Sequence, residues 1–126
     1  MIDIAYDITI PANTSYLSPY ALDVSLTEGV IKRVLINFHR GCRTMVYTAL
    51  YYGGEHKLPH VDGQGYHFDN YILTLYPDWN LADKHHLITI KGWSPDTLYP
   101  HTLNFLFTID DSGKSGDSSL LQQLFG

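Results

Sequence analysis

The chain has 126 residues, eight Lys and Arg against thirteen Asp and Glu, a formal net charge of −5, and one cysteine. That length makes one domain with room for one core. Scarce basic side chains argue against a nucleic-acid surface, which needs clustered cations to neutralise phosphate. A lone Cys42 permits no internal disulfide.

No apolar run approaches the length of a membrane-spanning helix. The opening Met1-Ile2-Asp3-Ile4 is acidic where a secretory signal is basic, so neither a signal peptide nor a transmembrane segment is expected. Apolar residues instead alternate at period two, the mark of strands with one buried face. In the first strand Ile2, Ile4, Tyr6, Ile8 and Ile10 alternate with Asp3, Ala5, Asp7 and Thr9, and Pro11-Ala12-Asn13 ends it. Leu22, Val24 and Leu26 form the inward set of the second. Glu28-Gly29 turns the chain into a third strand over 30–39, where Val34, Ile36 and Phe38 share a face with Lys32 at its start.

Arg40-Gly41 marks the next turn, and residues 43–52, β-branched and aromatic on both faces, are expected to form a central or doubly covered strand. The cations Lys32, Arg33, Arg40 and Arg43 flank this hairpin as a solvated edge. Residues 55–65, with Pro59, Asp62, Gly63 and Gly65, suggest a long loop with one short strand near Lys57 and Leu58. A strand or bent pair follows over 66–76, ended by Pro77-Asp78, and another strand over 87–93, broken by Ser94-Pro95-Asp96. The last places Leu103, Phe105, Phe107 and Ile109 inward. Helix is expected nowhere except the final turns and a candidate over 81–85.

Seven or eight short antiparallel strands with turn chemistry between them predict an all-β fold, a single β-sandwich over residues 1–110. The pattern leaves jelly-roll and immunoglobulin-like topologies both open. Residues 111–126 read as a flexible tail. A polar Gly/Ser spacer leads to Leu120, Leu121, Leu124 and Phe125, which fall at one-face helical spacing. Apolar side chains beyond such a linker add little to their own core, so they are candidate partner-binding residues that dock on a neighbour.

Chemistry-bearing motifs are weak. His56, His60 and His67, with Asp62 and Asp69 between them, are the candidate metal ligands, but in a loop their spacing fixes no geometry, and no metal or other cofactor is expected. Cys42 stands three residues after His39 without an orienting group or oxyanion pocket. Phosphate loops, nucleophile elbows and Cys-x-x-Cys pairs are all missing, so no catalytic residues are assigned and the chain is not expected to be an enzyme. Ten tyrosines with Trp79 and Trp93 exceed what one modest core absorbs. Exposed aromatics supply rigid contact area, which makes Trp79, Trp93 and Tyr99 candidate ligand-binding residues.

A resemblance rests on Phe38-His39-Arg40-Gly41-Cys42 with Met45-Val46, Gly54-Glu55-His56-Lys57-Leu58-Pro59, Phe68-Asp69-Asn70, and Trp93-Ser94-Pro95-Asp96-Thr97-Leu98-Tyr99-Pro100-His101-Thr102. These segments resemble a group of small proteins that are themselves similar to phage and virus structural proteins. The resemblance covers residues 11–109 and implies a β-sandwich subunit of a virion, of the capsid decoration or vertex type. Where that group often has an aromatic before the Pro, this chain has Leu58. Two readings follow. In one, the chain is a non-enzymatic structural subunit located in a virion, self-associating through aromatic sandwich surfaces and a C-terminal docking tail and binding another structural protein of the same assembly. In the other, it is a carbohydrate- or ligand-binding module.

Overall fold

The computed structural model describes residues 1–52, 56–61, 64–81 and 87–111, with only the backbone described at 56 and 57. Nine strands occur among them: β1 (Ile2–Ile10), β2 (Tyr20–Ser25), β3 (Gly29–Phe38), β4 (Tyr47–Tyr52), β5 (His56–Leu58), β6 (Tyr71–Leu75), β7 (Trp79–Leu81), β8 (Leu87–Trp93) and β9 (His101–Asp110). All pair antiparallel, in one sheet ordered β1-β9-β3-β6, with β7 also on β3, and a second ordered β2-β8-β4-β5.

β6 and β7 lie end to end along the same edge of β3. Val34 to Phe38 pairs with β6, and Gly29 to Ile31 pairs with β7. They amount to one strand interrupted at Pro77-Asp78. Counted so, eight strands divide between the sheets as first-eighth-third-sixth and second-seventh-fourth-fifth. This order is that of a jelly roll, which resolves the topology the alternation left open.

The core fills the space between the sheets. Ile8, Ile10, Val34, Ile36, Phe38, Leu103, Phe105, Phe107 and Ile109 come from the first sheet, and Val24, Leu50, Ile88 and Ile90 from the second; all are buried. Full burial of each such aliphatic or aromatic side chain contributes on the order of 1.5–3 kcal/mol. Gly92 faces inward too, and an added Cβ would stand 2.8 Å from Ile10 Cγ1, so the sheets approach closely there.

Three local expectations are corrected. Lys32 does not share the inward face of Val34: a bulge between Ile31 and Arg33 turns it outward, where its ammonium meets Asp78 at 3.1 Å, beside the interruption of the partner strand. Strand β4 begins at Tyr47 and not at Arg43. Arg43 and Thr44 both have positive φ, 51° and 59°, in a turn closed by the Met45 N–H donating to the Cys42 carbonyl at 2.9 Å. Finally, Trp79–Leu81 is a strand that the Pro77-Asp78 signal concealed. Of the proposed 81–85 helix only Leu81 is described, and it closes β7. The C-terminal tail, with Leu120, Leu121, Leu124 and Phe125, lies outside the described residues.

Candidate functional site

The jelly-roll order gathers four connections at one end of the sandwich: β1–β2, β3–β4, β5–β6 and β8–β9. Hydrogen bonds tie them in pairs. Ser94 N donates to Thr14 O at 2.9 Å, Ser94 Oγ to Pro11 O at 3.0 Å, and Asn13 N to Thr97 Oγ1 at 3.2 Å, joining the first connection to the last. The Asp69 carboxylate accepts from both Gly41 N and Arg43 N at 2.9 Å, joining the other two. These bonds, led by the Arg43 N–H, hold the Asp69 carboxyl below its ordinary range, aided by the charges of Arg43 and Arg40.

Between the two pairs lies a depression of about 510 Å³, lined by Gly41, Arg43, Met45, Asp96, Thr97, Leu98, Tyr99 and His101. Tyr99 is 72% exposed and Leu98 85%. β9 starts here at His101 and runs away from it, so Asp111 lies at the opposite end, 3.4 Å from the Met1 nitrogen. Asp111, the last described residue, is thus at the end opposite the depression.

The outward faces of the two sheets differ. On the four-stranded sheet, Trp93 and Tyr47 are cross-strand partners whose rings stack at 5.8 Å and 4°. Tyr16 abuts Trp93 edge-on at 4.9 Å, His67 lies over Tyr47 at 4.5 Å, and Gly65 packs so closely that its Cβ would be 2.8 Å from the indole. Trp93 is only 4% exposed. The ring proposed as a stacking platform thus has its faces covered by the chain's own residues.

Outside the five-stranded sheet, polar ladders cross the strands. Thr108 Oγ1 donates to Asp3 Oδ1 at 2.7 Å, Asn104 Nδ2 to Asp7 Oδ1 at 2.8 Å, and Asn37 Nδ2 to Asn104 Oδ1 at 3.3 Å. Between the ladders runs an apolar row, Ala5, Leu106 and Leu35, in register across β1, β9 and β3. On β6 the row ends at Thr74, the partner of Leu35, while Ile72, 56% exposed, stands opposite Asn37 and Tyr76, 72% exposed, follows the end of the strand.

The remaining candidates do not converge. Trp79 is part-buried, stacked on Tyr52 at 5.8 Å. His60 and His67 are both exposed, and His67 Nδ1 lies 3.1 Å from the Thr44 carbonyl as its donor. The His56 side chain and Asp62 lie outside the described residues, among which no three His, Cys, Asp or Glu side chains form a metal-type group. His39 bonds Asn104 through Nε2. Burial, reinforced by the Asp69 charge, raises the Cys42 thiol above its ordinary value, which keeps it protonated and poorly nucleophilic.

Sequence reasoning singled out Tyr99 but missed Arg43, Asp96 and His101 beside it. Asp96 and His101 are near neighbours in the chain, so the turn around Tyr99 held that much of a signal. Arg43 comes from another connection and carried none. No protein-family model matches the chain, and no curated protein matches it either. The geometry alone must carry the functional reading.

Proposed function

We propose that this chain is a non-enzymatic structural subunit of a virion or similar protein assembly. It self-associates through the outer surface of its sandwich, and residues Leu120, Leu121, Leu124 and Phe125 anchor it to a neighbouring subunit or another structural protein of the assembly. The observation that supports this reading best is the apolar content of the outward face of the five-stranded sheet, where Ala5 and the half-buried Leu106 and Leu35 stand in register and Ile72 and Tyr76 beside them are exposed. Uncovered apolar patches rimmed by polar groups mark interaction surfaces. Symmetric pairing of such a face buries it on both copies at once.

Two further features are consistent with this reading. The jelly roll is a fold of capsid proteins, although it also serves lectins and cupins, so the link is by analogy. Asp111, the last described residue, lies at the end opposite the exposed loops, which leaves those loops clear of the point where the described sandwich stops. Light scattering on the full chain and on a version ending at Asp111 tests the proposal. A discrete oligomer that shrinks on truncation, with the sandwich still folded, is the expected result. Two monomers would overturn it.

A further inference from the structure

The depression at the loop end is independent of the sheet face and has a different chemistry. Arg43, Asp96, Tyr99 and His101 line it, and among the described residues their side chains make no hydrogen bond or ion pair with the protein. Their neighbours Asp69 and His39 are committed to internal partners, Asp69 to the turn amides and His39 to Asn104. Arg43, Asp96, Tyr99 and His101 thus bring free hydrogen-bonding capacity to one concavity.

We propose that this depression is a binding site for a neutral carbohydrate. Its volume of about 510 Å³ lies within the roughly 300–1,000 Å³ range of small-ligand clefts. The exposed Tyr99 ring, beside Leu98 and Met45, offers the apolar surface on which the C–H face of a pyranose packs. Arg43 donates, Asp96 accepts, and His101 does either according to tautomer, a set matched to hydroxyl groups that both give and take hydrogen bonds. One guanidinium against one carboxylate leaves the rim electrically balanced, which favours an uncharged polyol over an anion. The paired loop ties fix the backbone around the rim, so little ordering accompanies binding. Neither tryptophan contributes.

Saturation-transfer NMR on the full chain tests this, with maltose, lactose, cellobiose and chitobiose as neutral probes and sialyllactose as the anionic one. Each is used at about 5 mM, suited to the roughly millimolar Kd of an open site. Transfer to at least one neutral sugar is expected, weakened about tenfold or more by Tyr99→Ala. Asp96→Asn is expected to weaken it too, and Leu87→Ala, at the opposite end of the sandwich, to leave it unchanged. Absence of transfer to every neutral sugar, transfer confined to sialyllactose, or transfer that survives both Tyr99→Ala and Asp96→Asn would overturn the proposal. The outcome does not depend on the oligomeric state, so this site and the structural reading fail separately.

Discussion

The two sheets dispose of their outward faces in opposite ways. Outside the four-stranded sheet, Tyr47 and Trp93 are roofed by Tyr16, Gly65 and His67, so aromatic side chains build a second packed layer from the chain's own loops. Outside the five-stranded sheet, aliphatic Leu35 and Leu106 lie between polar ladders and Ile72 stands at the end of one of them, with no such roof among the described residues. Aromatic abundance is therefore a poor guide to where free surface lies. Large rings can satisfy one another within the chain, whereas a few aliphatic residues on an uncovered face leave contact area for a partner.

The sharpest way to break this contrast is to remove the roofed ring. Trp93→Ala is expected to cost about 3–5 kcal/mol, as for a buried indole in a core, and urea unfolding measures it. A cost below about 1 kcal/mol would mean that the outer layer is not packed. Next in size, Gly65→Ala drives a methyl against the Trp93 ring and is expected to cost about 1–3 kcal/mol in the same assay.

On the bare face the effects invert. Ile72→Lys leaves the core untouched, so stability should stay within about 0.5 kcal/mol while self-association weakens. Matched thermal midpoints with a lower mass at equal concentration would show this. The smallest expected effect concerns Asp69, whose carboxyl has a folded value below its unfolded one. Its contribution to stability is present above the unfolded value of about 4 and is lost as pH falls through the folded value. Asp69→Asn should therefore flatten the acid limb of the stability profile below about pH 4, with little change in its shape near neutrality.

Much of the architecture was legible because alternation reports burial directly: Ile8, Ile10, Leu103, Phe105, Phe107 and Ile109 are inward as their spacing implies. What stayed hidden was set by contacts far apart in sequence. The β-branched and aromatic character of residues 43–52 pointed to one long strand, but Asp69 holds Gly41 and Arg43 in a turn from more than twenty residues away. The bulge at Lys32 answers the break at Asp78 on the neighbouring strand, and neither is visible from its own segment. The loop-end depression was half legible. Tyr99 stood out as a turn aromatic, while Arg43 joins it only through the antiparallel return of the chain. Trp93 misled because an aromatic before Ser94-Pro95 looks terminal, and only the fold brings Tyr16 and Gly65 over it.

Sedimentation velocity on the full chain and on a Leu35→Lys, Ile72→Lys double variant, over a range of concentrations, tests the central claim most directly. Self-association through the bare sheet face requires the parent chain to sediment as a discrete oligomer and the double variant as a smaller species of unchanged fold. A parent chain that sediments as a monomer throughout, or an oligomer indifferent to both lysines, would contradict it.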